Sequence, residues 1–154
     1  ETMLMSDGYL ANGKTILCRA AEADRYKSLA DIDKSEVRVM VNPGGLNEKF
    51  ANENLTHATV IVHPKNEEIP SLIAEGEADV MITEITEAPW YVQNDVRLAA
   101  PLLAAPFTHG EIGVLMSKGQ DDLLALVNGV IAQMKADGTL RRLHEKYGLI
   151  YAYE

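Results

Sequence analysis

The chain has 154 residues, a formal net charge of −9, 47% hydrophobic and 24% charged residues. That length suits one ordinary domain, and the apolar content excludes a disordered chain. The acidity argues against a nucleic-acid partner, which requires clustered Lys and Arg, and no apolar run approaches the ~20 residues that span a bilayer.

The opening Glu1-Thr2-Met3-Leu4-Met5 has no basic leader region, no long apolar stretch and no initiator Met, and reads as a processed chain or a fragment. Lys14 to Arg19 reads as a strand and contains the lone cysteine, Cys18, as a small buried hydrophobe. After a polar stretch, Ser28 caps a short helix over Leu29-Ala30-Asp31-Ile32, with Asp31 at the capping-box position. Val37 to Val41 is a β-branched strand that enters the turn Asn42-Pro43-Gly44-Gly45, and Leu46 to Asn54 is a helix. Thr59 to Val62 is the next strand, Pro70 to Glu75 a helix ended by Gly76, and Val80 to Thr83 another buried strand. A helix over Glu84 to Gln93 and a short strand over Leu98 to Leu103 complete this half.

The alternation β-α-β-α-β-α-β implies an α/β fold: an open, doubly wound, mostly parallel sheet covered by helices. Beyond Gly113-Val114-Leu115-Met116 the pattern becomes helical. Leu123, Val127, Val130, Ile131 and Met134 form one stripe, which reads as a core face rather than a partner-binding face. Asp137-Gly138 breaks it, and Leu140, Leu143 and Tyr147 continue on a second helix. Arg141, Arg142 and Lys146 read as a solvated basic face.

Two segments can carry chemistry. In Val41 to Phe50 a strand passes through paired glycines into a helix N-terminus, whose unpaired N–H groups and dipole suit a carboxylate. The same turn can equally be structural, and it matches neither a P-loop nor a dinucleotide fingerprint. In Thr83-Glu84-Ile85-Thr86-Glu87, at the carboxyl end of a strand, the two glutamates share a face if a helix starts there. One then suits a ligand ammonium and the other a proton donor; alternatively both simply favour the helix N-terminus. His57, His63, His109 and His144 show no metal-ligand spacing, so no metal site is expected, and no GxSxG elbow occurs.

Several segments together resemble the family-3, amino-acid-type periplasmic solute-binding proteins: Ser6 to Leu10 followed by Gly13-Lys14-Thr15, Ser28 to Ile32, the Gly-Gly turn, Gly76 to Val80, and Lys135 to Leu140. Their order is right and they run along essentially the whole chain. Val41 to Ala51, Ile61 to Asn66 and Asp79 to Ala88 are particularly similar to the cyclohexadienyl dehydratases, which use this fold without a cofactor.

The resemblance implies that Gly44, Gly45, the Leu46 N–H and Asn47 face a ligand carboxylate, that Glu84 holds an amino group, and that Glu87 is the general acid if the chain is a dehydratase. Leu46 replaces the family's usual Thr, Glu84 its usual Asp and Gly8 its usual Pro, and Thr108 to Glu111 departs from the dehydratase pattern. It further implies a division into 1–13 (end of a first lobe and hinge entry), 14–105 (a complete second lobe), 106–110 (hinge return) and 111–154 (last strand and helices of the first lobe). The bulk of the first lobe, with its ligand-clamping Arg, has no counterpart here. The expected role is a periplasmic receptor for a small carboxylate or amino acid that serves an ABC transporter's membrane subunits; the alternative is a prephenate or arogenate dehydratase. Either way the chain reads as a fragment that self-associates or exchanges a lobe.

Overall fold

The computed structural model describes residues 3–153. Residues 1, 2 and 154, at the outer ends of the expected 1–13 and 111–154 segments, lie outside the described residues. Contacts divide the chain into two compact units: Gly13–Thr108, and the segments flanking it on either side.

Two short strands come first, β1 (Met3–Met5) and β2 (Leu10–Asn12). The Gly13–Thr108 unit then runs β3 (Lys14–Arg19), a 3-10 segment (Ala20–Arg25), α1 (Leu29–Ile32), β4 (Arg38–Val41), α2 (Leu46–Asn54) and β5 (Thr59–Val62). It continues with a 3-10 turn (Asn66–Glu68), α3 (Ile69–Glu75), β6 (Val80–Glu84), α4 (Ala88–Asn94) and β7 (Leu98–Ala99). The chain closes with β8 (Gly110–Ile112), β9 (Leu115–Ser117), α5 (Asp121–Ala136) and α6 (Thr139–Lys146).

The five strands of the Gly13–Thr108 unit lie in the order β5-β4-β6-β3-β7. The α/β class and the open, helix-covered sheet are as expected. Parallel pairing, however, is confined to β5, β4 and β6, while β3 runs antiparallel to both β6 and β7. Alternation of strands and helices in sequence orders the elements but does not fix which strands become neighbours. At the entrance to β3 the Lys14 N–H donates to Thr108 Oγ1 at 2.9 Å and the Phe107 N–H to the Lys14 carbonyl at 2.7 Å, tying the unit's two ends together.

Strand period two sends alternate residues to opposite faces, and both faces are covered. Ile16, Val39, Val41 and Ile82 join Ile32, Phe50 and Ala51 in one core. Leu17, Met40 and Met81 meet Ile69 and Ile73 in the other. Cys18 belongs to the first core; burial, reinforced by the charge of Glu22, pushes its thiol up to about 11.

Local chemistry sets the helix ends. The Ser28 Oγ accepts from the Asp31 N–H at 3.3 Å, and the Asp31 carboxylate accepts in return from the Lys27 N–H at 3.1 Å. Gly76 ends α3 at φ +86°, with the Glu77 N–H closing onto the Leu72 carbonyl at 2.9 Å. A Cβ there would meet nothing closer than the Arg19 guanidinium at 3.7 Å, so its cost is conformational. Gly76→Ala is expected to lower stability by about 1 kcal/mol in urea denaturation; an unchanged midpoint would contradict a left-handed cap.

Three elements differ from the sequence expectation. The stretch after β3 forms a 3-10 helix. The segment from Leu98 pairs only through Ala99, since Pro101 further on has no N–H for a ladder. The helix expected from Glu84 begins at Ala88, because Glu84 is still paired in register with Lys14 of β3.

In the other unit β1 pairs with β9, β2 pairs with β8, both antiparallel, and α5 packs on α6. The reading of the α5 stripe as a core face is corrected here. Ile131 is buried and Val127 and Met134 half-buried, but Leu123, Leu126 and Val130 are exposed. A helix face becomes core only where another element covers it, and α5 is sheathed on the Ile131 side alone. Arg141, Arg142 and Lys146 are exposed, as expected.

Candidate functional site

The site is built at one end of the Gly13–Thr108 sheet. Parallel strands β4 and β6 both finish there, and antiparallel β3 starts there. The last residue of β6, Glu84, therefore lies opposite the first residue of β3, Lys14. The Lys14 ammonium donates to Glu84 Oε1 at 2.5 Å and to Asn47 Oδ1 at 2.6 Å. The Asn47 amide in turn donates to Asn42 Oδ1 at 3.3 Å. Lys14 is only 8% exposed, so these partners replace the water that its ammonium gives up on burial.

The turn between β4 and α2 supplies the second component. Gly44 has φ +71°, which glycine adopts without strain. Gly45 is the N-cap of α2, and Leu46 and Asn47 are its first two residues. The Gly44 N–H is held at 2.5 Å by the Glu48 carboxylate, reaching back from the third helical position. A side-chain carboxylate thus occupies the position that helix polarity favours for an anion. Leu46 is exposed. A shallow open depression of about 510 Å³, lined by Gly44, Gly45, Glu48, Lys49, Asn52 and Glu53, lies against the outer side of this turn and reaches none of Lys14, Glu84 and Glu87.

Glu84 and Glu87 do not share a helix face. Glu84 ends β6, a turn follows, and Glu87 is the residue before α4. The Thr83 hydroxyl donates to Glu87 Oε2 at 2.8 Å, fixing the carboxylate of this half-buried residue. Tyr91, one turn on, has its phenol pushed upward by burial and then by the charge of Glu87. On the neighbouring strand Thr15 lies in register with Thr83, fully buried, its hydroxyl without a partner among the described residues.

Of the candidates read from the sequence, the structure brings Asn47 and Glu84 together through Lys14, and leaves Gly44, Gly45 and Leu46 at the α2 entrance and Glu87 before α4. Sequence reasoning missed Lys14 itself. On a wholly parallel sheet the start of β3 falls at the far edge from the ends of β4 and β6. The available signal was a lysine heading the apolar run Thr15-Ile16-Leu17-Cys18. No group of His, Cys, Asp or Glu able to hold a metal occurs among the described residues. No described helix is long and apolar enough to cross a membrane.

The comparisons with known proteins agree on the family. A model described as bacterial extracellular solute-binding proteins, family 3, matches residues 1–150. The cyclohexadienyl dehydratase of Pseudomonas aeruginosa is 38% identical over 112 residues, which cover 73% of this chain and 42% of that protein. An L-cystine-binding protein of Escherichia coli is 27% identical over 142 residues, or 92% and 52%. Among solved structures, an ancestral cyclohexadienyl dehydratase is 48% identical with a TM-score of 0.62, covering 95% of this chain and 61% of that one. An ancestral cationic amino acid solute-binding protein is 36% identical with a TM-score of 0.83, covering 95% and 62%. The chain spans about half the length of the curated relatives it matches.

Proposed function

The chain belongs to the bacterial extracellular solute-binding proteins, family 3, and on that premise we propose that its Gly13–Thr108 unit supplies one wall of a cleft for a small carboxylate or amino-acid solute. The observation that carries this reading is the convergence of the Lys14–Glu84–Asn47 cluster and the Gly44–Leu46 helix entrance on one end of the sheet. An ammonium has three donors, and two of Lys14's go to Asn47 and Glu84, which leaves one for a ligand oxygen. The Gly45 and Leu46 N–H groups serve a carboxylate, and Glu48 swings away from Gly44 when that carboxylate arrives. A ligand ammonium must compete with Lys14 for Glu84, so carboxylates are favoured over amines. In this role the membrane subunits of an ABC transporter are the partners and the periplasm is the location. The relatives named as amino-acid binders, 27% and 36% identical, support this use of the fold.

A second reading is favoured by Glu87. Its carboxyl group, oriented by Thr83 beside a cluster that already neutralises Glu84, suits a substrate with carboxylates and no ammonium, such as prephenate. As a dehydratase, Glu87 gives its proton to the departing ring hydroxyl, which leaves as water. The ring carboxylate leaves as CO₂, and its bonding pair enters the ring to complete the aromatic system. The identities of 38% and 48% to dehydratases support this reading.

Calorimetric titration of the chain with prephenate, arogenate and free amino acids, followed by assay for phenylpyruvate and phenylalanine, separates the two. Amino-acid binding with no turnover establishes the receptor. Turnover that Glu87→Gln lowers by at least about 100-fold, the scale of general-acid catalysis, with binding kept, establishes the dehydratase. Failure of every carboxylate to bind contradicts the role given to Lys14 and the Gly44–Leu46 entrance as a wall that holds a ligand by itself.

A further inference from the structure

Recognition of a carboxylate by Lys14 and the α2 entrance leaves the body of the ligand unspecified, and the topology of the Gly13–Thr108 unit fixes where that body lies. Strands β4 and β6 are parallel neighbours. The helix that follows β4, α2, packs through Phe50 and Ala51 on the Ile16 face of the sheet. The helix that follows β6, α4, packs through Tyr91 and Val92 on the Leu17 face. Helices that leave adjacent parallel strands for opposite faces open a crevice at the carboxyl ends of those strands. Glu84, at the end of β6, and Asn47, in the first turn of α2, belong to that end of the sheet.

Each of the two helix entrances carries one large, exposed apolar side chain. Leu46, whose N–H is one of the carboxylate donors, is 69% exposed, and Trp90, in the first turn of α4, is 66% exposed. Trp90 is the only tryptophan of the chain. Its N–H donates to the Glu87 carbonyl at 3.0 Å, and Glu87 itself has right-handed helical dihedral angles. The two side chains, three residues apart, are therefore neighbours on the helix surface. Ala88 and Pro89 are buried and turn the other side of α4 to the core, which puts Trp90 on the solvent side of Glu87. Ligand sites combine a few placed polar groups with walls that are mostly apolar, and an indole offers the broadest flat face for such a wall.

We propose that Trp90 and the Leu46 side chain are specificity-determining residues: they are the apolar walls of this crevice and select carboxylic acids that carry a flat ring over those that do not. The ring stacks on the Trp90 indole and packs against Leu46, while its carboxylate is held by Lys14 and the Gly45 and Leu46 N–H groups. The proposal rests on that carboxylate reading and adds to it the class of ligand body.

Propanoate and 3-phenylpropanoate carry the same carboxylate and differ by one phenyl ring, so their comparison by calorimetric titration of the chain is the test. The ring should raise affinity at least about tenfold, the scale of burying and stacking one aromatic group. Trp90→Ala should bring the two acids to within about twofold of each other, whereas Trp90→Phe, which keeps a ring face, should retain most of the preference. Leu46→Ala should lower the preference in part. Because both positions are exposed, the urea midpoints of these variants should stay close to that of the parent chain. Val96→Ala, 90% exposed in the same unit, is the control and should leave both affinities unaltered. Emission from Trp90 is an independent readout: it should move to shorter wavelength with 3-phenylpropanoate and not with propanoate. Equal affinities for the two acids overturn the proposal and leave the carboxylate wall standing. A preference that survives in Trp90→Ala, or that comes without a change in Trp90 emission, also overturns it. Binding of neither acid overturns the proposal together with the carboxylate reading beneath it.

Discussion

Lys14→Met is expected to destabilise the chain by about 2–4 kcal/mol at neutral pH and to weaken carboxylate binding at least tenfold. The substitution keeps the apolar stem out to Cε and removes the ammonium. Glu84, with a side chain 23% exposed, then faces Asn47 without its counter-ion. Leaving one member of a buried pair uncompensated costs more than the pair contributes, which is the basis of the estimate. Glu84→Gln, which strands the ammonium instead, should also destabilise. The double variant Lys14→Met/Glu84→Met should recover most of the loss, because it leaves no unpaired charge. Urea titrations of the three variants check this. If the double variant is as unstable as Lys14→Met, the loss comes from packing of the lysine stem rather than from the ion pair. Binding separates stability from function, since the double variant should refold and still bind carboxylates weakly.

The second large effect is expected at Asp79, with a side chain 14% exposed where Arg38 and Arg19 meet. Its carboxylate accepts from the Arg38 N–H at 2.9 Å, from the Arg38 guanidinium at 2.9 and 3.1 Å, and from Arg19 at 3.0 Å. Burial opposes its ionisation, but the side-chain and backbone hydrogen bonds of Arg38, with those of Arg19, outweigh it and hold Asp79 at about 2. The folded state therefore binds this proton less readily than the unfolded chain does. The resulting stability is fully present above the unfolded carboxylate value of about 3.9 and is lost as pH falls toward 2. After allowance for solvent screening it amounts to about 1–2 kcal/mol. Asp79→Asn should cost that much at pH 6 and above, because Arg38 loses its carboxylate partner and Arg19 keeps only Glu22. The gap between native and variant should narrow at pH 3. A gap of constant size across this range would mean that Asp79 acts through shape alone.

Local patterns were reliable wherever a single segment decides the outcome. The bounds of β3, α2 and β5, the Ser28 cap and the Gly76 stop follow from periodicity and capping chemistry that neighbouring residues supply. The Gly44-Gly45 turn at a strand–helix junction was legible for the same reason. Glu84 and Glu87 were legible as candidates but not as geometry. Whether Glu84 ends a strand or begins a helix depends on the Lys14 strand beside it, from 70 residues earlier in the chain.

What the sequence determined by itself is the element types, the α/β class and the family pattern, all carried by short-range signals along the chain. Tertiary structure alone decided that β3 runs antiparallel, so that Lys14 rather than a remote residue meets Glu84 and Asn47. It alone also decided that α5 is covered on one side only, turning an expected core stripe into open surface. Strand neighbours and helix cover are set by which apolar faces find each other across the fold, and that competition is not written in any one segment.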